Sequence, residues 1–341
     1  AAGWTPLAGC ETWVGAQRIA TWMNEAAKRA GSGLESHEFW YAAATKLLAP
    51  VLHAAAVSEG SMRDVVRWID TREETDVLSA LLDVNAEDAV TSFTASAGRE
   101  PKTKSNVYTT AETMLAAYLD PNVLASAERS TIDPDRLLDG GAHTLYLCAP
   151  SHEQRRLQPI FVTLLQEIIT TVYRTSAERQ APLDPPLLLV LDECANIAPL
   201  RDLATLASTG AGQGIQLVTV FQDLSQVIAV YGRERAPTIV SNHRAKIVLN
   251  GIADATTLEF VGRLLGDEEV QLVSETSGDE GRKSRTQSTA FRHLAPTHAL
   301  RQMSPGEGLL VYGHLPPARL SLRPWYRDRR LQRLAAGELE E

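Results

Sequence analysis

Five short apolar runs, set between stretches of helical spacing, constrain this chain more than any other feature. They are His143–Ala149 (HTLYLCA), Leu187–Leu191 (LLLVL), Ile215–Phe221 (IQLVTVF), Ala245–Asn250 (AKIVLN) and Gly308–Tyr312 (GLLVY). Each has the length of a strand, and the runs are continuous rather than alternating, as strands buried on both faces are. Between the first two, Leu157, Ile160, Phe161, Leu164, Leu165, Ile168 and Val172 recur with the period of one long helix. Strands alternating with helices predict an α/β fold with a mainly parallel, doubly wound sheet. From Val14 to about Leu124 the pattern is helical instead, with Trp40, Ala43, Ala44, Leu47, Leu48 and Val51 on one face. That stretch predicts an all-α insertion of six or seven helices, punctuated by Asp120-Pro121 and Asp133-Pro134. Two polar stretches, Gly98–Ser105 and Glu275–Thr289, break the plan and are expected to be mobile loops.

Charge and cysteine usage narrow the classes of function. A net charge of −9 argues against a protein that coats nucleic acid with its whole surface, but not against a few basic loops gripping a strand. Lys102 and Lys104 in the first polar stretch, and Arg282, Lys283 and Arg285 in the second, are the candidate DNA or pore contacts. Cys10, Cys148 and Cys194 are widely spaced and form no CxxC pair, so neither a zinc site nor a disulfide framework is implied. The longest apolar run, Pro185 to Leu191, is far short of the roughly 20 residues a membrane helix needs, so this stretch is expected to be soluble.

The residues richest in chemistry are the last two of Leu187–Glu193, LLLVLDE. A strand of this kind presents Asp192 and Glu193 at the carboxyl edge of a parallel sheet, where open α/β folds bind their ligands. In nucleotide-hydrolysing motors such a pair divides labour: the Asp helps hold Mg²⁺ and the Glu polarises the attacking water. Gln222 stands thirty residues after Asp192, where the next strand ends, placed to reach a γ-phosphate or that water. The glycines of Gly210–Gly214 follow a helical stretch and precede a strand. A phosphate cradle needs the reverse order, so a tight helix-to-strand turn is expected there.

The run LDECANIAPLRDLATLASTGAGQGIQLVTVFQDLSQVIAVYG resembles the Walker B to motif III region of TraG/TraD-type conjugative coupling proteins of type IV secretion. Ser241-Asn242 before AKIVLNG, then DATTLEFVGRLLGDEEV and LRQMSPGEGLLVYGHLPPARLSLRPWYRD, continue the likeness in order. GWTPLAGCETWVGAQRIA and EFWYAAATKLLAPVLHAAA are similar to the segment after the first nucleotide motif and to the start of the family's all-α domain. The resemblance implies a RecA-like P-loop NTPase core with an all-α insertion: core remnant 1–20, all-α domain 21–135, core 136–330 and a tail 331–341. It implies ATP and Mg²⁺ as cofactors, with Asp192 as the Mg²⁺-associated Asp, Glu193 as the catalytic Glu and Gln222 as the sensor. The implied partners are single-stranded DNA with its relaxase, and relaxosome or secretion-channel proteins at the all-α domain. The implied assembly is a homo-hexamer at the cytoplasmic face of the inner membrane, anchored by an upstream transmembrane region.

Two departures from the family pattern stand out. Where members place an arginine finger this chain has Ala211, leaving Arg244 and Arg201 as the nearest candidates. No GxxxxGK[ST] occurs in the 341 residues, and the chain opens on Ala rather than Met, so it is expected to begin downstream of that motif and to be inactive alone. The alternatives are a FtsK/HerA-type duplex DNA translocase, and a non-catalytic docking module on a degenerate ATPase scaffold.

Overall fold

The computed structural model describes residues 2–27, 35–277 and 283–337. The chain forms two compact units, Ala1–Phe221 with Ala229–Arg235, and Gln222–Ile228 with Ala236–Glu341. The sequence boundary expected near residue 135 lies inside the first of them.

The first unit opens with helices α1 (Trp13–Ala27), α2 (Glu35–Val57), α3 (Met62–Thr71), α4 (Thr75–Asp83), α5 (Glu87–Ala97), α6 (Pro101–Leu115) and α7 (Pro121–Ser126). Their apolar stripes share one core around α2. There Ala44, Leu47, Leu48, Leu52, Ala54 and Ala55 are fully buried against Ile19, Val65, Ile69, Leu81, Phe93 and Tyr108. A helix apolar on most of its sides is stable only when neighbours surround it, which is why α2 takes the centre. Aspartate–proline pairs start two helices. Asp120 accepts the Asn122 N–H at 2.7 Å ahead of α7, and Asp133 accepts the Asp135 N–H at 2.9 Å ahead of α8 (Pro134–Leu137).

The same punctuation corrects one expectation. Gly98–Ser105 is not a loop throughout: Glu100 accepts the Thr103 N–H at 3.0 Å, Pro101 takes the first helical position, and α6 runs on from there. The first turn is polar because it faces solvent, so no apolar period marked it.

Helix α9 (Gln154–Arg179) carries the buried stripe Leu164, Leu165, Ile168, Ile169 and Val172. Its Glu167 accepts a 2.7 Å hydrogen bond from the Trp4 indole. Burial pushes the Glu167 carboxyl above the usual carboxylate range, against the opposing pull of that indole and of Arg18. His143–Ala149, expected to be a strand, joins no ladder among the described residues. Its alternation is strand-like, with Leu145 and Leu147 packed on the cluster of Trp4, Leu164 and Ile168 while Tyr146 is exposed.

Strand β1 (Leu187–Leu191) pairs in parallel with β2 (Ile215–Thr219), Leu187 opposite Ile215 and Leu191 opposite Thr219. Between them lie the short helices α10 (Cys194–Ile197) and α11 (Leu203–Thr209). Burial on both faces was expected. Instead Leu189 and Leu191 are buried while Leu188 and Val190 stay more than half exposed.

The second unit follows through α12 (Leu224–Tyr231), which crosses the division, α13 (Ala236–Asn242), β3 (Ala245–Leu249) and α14 (Ala255–Leu265). Then come β4 (Asp267–Ser277), β5 (Lys283–His293), α15 (Thr297–Arg301), β6 (Glu307–Tyr312), β7 (Ala318–Ser321) and α16 (Arg329–Ala335). The runs AKIVLN and GLLVY are strands as expected, but β6 pairs antiparallel with both β3 and β7, so the parallel ladder among the described residues is β1–β2. The core of this unit is small: Leu258, Val261 and Leu265 of α14 with Leu300 and Val311. Glu275–Thr289 was expected to be a mobile loop. Its described parts belong to an antiparallel ribbon, β4 on β5, because two eleven-residue runs of strand-compatible residues satisfy each other's backbone.

One side chain fixes the start of α14. Asp254 accepts the Thr257 N–H at 2.8 Å, the Thr257 hydroxyl at 2.7 Å and the Ser225 hydroxyl at 2.8 Å. The Thr257 bonds, foremost, hold its carboxyl below the usual aspartate range. Asp254→Ala is expected to cost about 1–2 kcal/mol of unfolding free energy in a urea titration. A group whose folded pKa is depressed stabilises only above its unfolded pKa, so the gap to the variant should close as pH falls through the folded pKa.

Candidate functional site

The site is built on the end of β1. After Leu191 the backbone stays tied to the neighbouring strand: the Val220 N–H donates to the Leu191 carbonyl at 3.0 Å, and the Cys194 N–H to the Val220 carbonyl at 3.1 Å. Asp192 and Glu193 therefore sit on a turn clamped at both ends at the carboxyl edge of the parallel pair. Glu193 has φ 51 and ψ 40, the left-handed region, where a residue with a Cβ is strained by roughly 1–2 kcal/mol.

Local bonds hold it there. Its carbonyl accepts the Asn196 and Ile197 N–H groups at 2.8 and 3.0 Å, opening α10, and its Oε2 accepts the Asn196 side-chain amide at 2.7 Å. The Asp192 Oδ1 accepts the Glu193 N–H at 3.0 Å, and the Asp192 side chain is exposed at the edge. The geometry aims one half-buried carboxylate, pre-oriented by an amide, beside one solvent-facing carboxylate. Asn196, which motif reading passed over, joins the pair through that bond. Its only signal was an amide three residues after the Glu, at the spacing that reaches back across one helical turn.

No group of three or more His, Cys, Asp or Glu suited to a metal occurs among the described residues. A protein-only metal cage therefore does not fit this site. A single exposed carboxylate fits Mg²⁺, which keeps several waters and takes its remaining oxygens from phosphates.

Directly behind the pair, Cys194 is fully buried, its sulfur 3.9 Å from the Tyr231 hydroxyl. Burial pushes its thiol up to about 12, which leaves it protonated and unreactive near neutral pH. Cys10 is likewise buried, whereas Cys148 is exposed. A thiol reagent at pH 8 is expected to titrate Cys148 alone in the native chain and all three cysteines after unfolding, read by absorbance of the released chromophore.

The remaining sequence candidates fall in different places. Gln222 is the first residue of the second unit, three beyond the end of β2. Its N–H donates to the Gln226 side chain at 3.0 Å, and Asp223 accepts the Gln226 N–H at 2.7 Å, fixing the turn into α12. Gly210–Gln213 is a 3-10 turn after α11, and Gly214, at φ 86, leads into β2, as the helix-to-strand reading expected. Ala211 is exposed on that turn.

Arg201 is paired with Glu25 of α1 at 2.8 Å, and Arg244 lies over the Tyr312 ring at 5.1 Å from its centroid. Lys102 is exposed in the first turn of α6, while Lys104 is engaged by Glu74. Lys283 and Arg285 fall on β5 opposite Ser277 and Glu275, and Arg282 lies outside the described residues.

The fold is that of a RecA-like P-loop NTPase core carrying an all-α domain. Solved structures of the conjugative coupling protein TrwB share it. The unbound TrwBdeltaN70 form has a TM-score of 0.73 at 19% identity, covering 94% of this chain and 71% of that one. The TrwB complex with ADP and Mg²⁺ gives a TM-score of 0.70 at 20% identity over the same shares. The family described as Type IV secretory system Conjugative DNA transfer matches residues 10–339, and the chain belongs to it.

Among curated relatives, the conjugal transfer protein TraG of Agrobacterium fabrum is 26% identical over 233 residues, 67% of this chain and 34% of that protein. Protein VirD4 of Rhizobium radiobacter is 23% identical over 231 residues, 64% of this chain and 32% of that protein. The chain thus spans about a third of the length of the curated relatives it matches. Among the described residues no helix is long and apolar enough to cross a membrane.

Proposed function

We propose that this chain is the catalytic portion of an ATP-driven motor that couples nucleotide hydrolysis to the transfer of DNA, or a relaxase–DNA substrate, into a type IV secretion channel. The observation that carries the reading is the strained, amide-oriented Glu193 beside Asp192 at the edge of the parallel pair, in a member of the conjugative DNA transfer family. TrwB, whose fold this chain shares, has been solved with ADPNP and with ADP and Mg²⁺, which supports a nucleotide as the ligand here.

In this reading Glu193 orients the water that attacks the γ-phosphate, and the left-handed backbone with the Asn196 amide keeps the carboxylate aimed. Asp192 would hold Mg²⁺ indirectly, and Mg²⁺ would neutralise phosphate charge on the ATP whose cleavage drives the motor. Gln222, which heads the turn into α12, is the sensor of nucleotide state. With Ala211 at the family's arginine position, charge on a neighbour's phosphate falls to Arg244 or Arg201, each of which would have to leave its present partner. The domains divide near residues 20, 135 and 330. The working assembly is a homo-hexamer at the inner membrane, with the all-α domain docking relaxosome or channel proteins.

The test is ATP hydrolysis, with and without DNA, by this chain and by a longer polypeptide in which a GxxxxGK[ST] segment precedes it. DNA-stimulated turnover in the longer form alone is the expected result. No turnover in either would leave a docking module on an inactive scaffold.

A further inference from the structure

Just past its last strand the chain has a short basic stretch. Between Arg323 and Ala335 there are five arginines (Arg323, Arg327, Arg329, Arg330 and Arg333) and one carboxylate, Asp328, in a protein of net charge −9. That carboxylate is already committed. It caps α16 by accepting the Arg330 and Leu331 N–H groups at 2.9 and 3.3 Å, and it pairs with Arg323 at 3.2 Å. The arm is anchored where the Leu322 N–H donates to the Gly306 carbonyl at 2.7 Å, and Gln332 reaches back to the Tyr326 carbonyl.

On this ordered arm Trp325 and Tyr326 meet edge to face, ring centroids 6.0 Å apart and planes at 79°. Each remains 57% exposed, though burying rings of this size is worth several kcal/mol. Every residue of α16 is exposed as well.

We propose that this arm is a contact site for single-stranded nucleic acid, with Trp325 and Tyr326 as the stacking platform and the Arg327 and Arg329 guanidinium groups on the phosphates. The inference rests on the DNA-transfer reading above and supplies that reading with a contact surface of named residues. Two features favour a strand over an anionic membrane. All five cations are arginine, whose planar fork suits phosphate oxygens and whose face stacks on bases. The helix has only seven residues with two leucines, Leu331 and Leu334, a small apolar face for an interfacial anchor. Glu338, Glu340 and Glu341 follow in sequence, outside the described residues, and oppose binding electrostatically.

The test is fluorescence anisotropy of a labelled 20-residue oligo-dT strand with this chain, its W325A/Y326A and W325F/Y326F variants, and R327Q/R329Q. Circular dichroism melts check each fold. The alanine pair is expected to weaken binding by about 5- to 150-fold, from roughly 1–3 kcal/mol for one base stacked on the pair, while the phenylalanine pair stays near the native value. R327Q/R329Q should flatten the slope of log affinity against log salt by about 1.4, at roughly 0.7 per lost phosphate contact. Unchanged affinity in all three variants would overturn the arm as a contact and leave the DNA reading to another surface. No binding by the native chain to oligo-dT or to vesicles would overturn both. Binding to phosphatidylserine vesicles that needs Trp325, without binding to oligo-dT, would overturn it in favour of a membrane contact.

Discussion

Glu193→Gln, in a polypeptide where a GxxxxGK[ST] segment precedes this chain, is expected to bind ATP with native affinity and to lose about 10²–10⁴-fold in turnover. The amide keeps the size of the carboxylate and can still accept from Asn196, whose side chain lies 2.7 Å from Oε2. It cannot polarise a water or take its proton, so the loss should fall on chemistry and not on binding. Equilibrium binding of a fluorescent ATP analogue, set beside single-turnover hydrolysis, separates the two. Turnover within threefold of the native value would remove Glu193 from the mechanism. Asn196→Ala should give a smaller loss of the same kind, since it removes the orienting bond and leaves the reacting group.

The second large effect concerns how β2 is positioned beside β1. Gly214 has φ 86, and a Cβ there would lie 2.5 Å from both the backbone N and the carbonyl O of Leu183. Those atoms belong to the main chain, which cannot swing aside as a side chain can. Gly214→Ala is therefore expected to cost about 2–5 kcal/mol, from left-handed strain of roughly 1–2 and overpacking of roughly 1–3. Because Leu183 leads into β1, the displacement should also disturb the turn that carries Asp192 and Glu193. Gly212 is the internal control: nothing lies within 4 Å of a Cβ built there, and its alanine variant should change stability by no more than about 0.5 kcal/mol. Urea unfolding of the two variants side by side decides it. Equal stabilities would mean that the Gly214–Leu183 contact does not hold the strand.

What could be read from the sequence was chemistry confined to a few consecutive residues. Asp120-Pro121 and Asp133-Pro134 start helices because cap and proline act within a single turn. LLLVLDE places two carboxylates at a strand end because strand and turn are contiguous, and Gly210–Gly214 is a turn because its flanking elements come in the wrong order for phosphate. Other features depended on partners far along the chain. His143–Ala149 has the length and apolar run of a strand, yet neither supplies a neighbour to pair with. Glu275–Thr289 looked like a loop because polar residues without apolar period carry no signal of the opposing strand.

The sequence by itself determined the class of fold, the all-helical insertion, the acidic pair at a strand edge and the membership of the chain in its family. Tertiary structure alone decided that β3, β6 and β7 run antiparallel and that Arg201 is engaged by Glu25, 176 residues away. It also decided that Glu193 is held in a left-handed turn by Asn196 and that Cys194 is inert behind it. The physical reason is range. Capping, turn chemistry and apolar period act over a handful of residues, whereas ladder partners, ion pairs and burial are set by which distant segments the folded chain brings into contact.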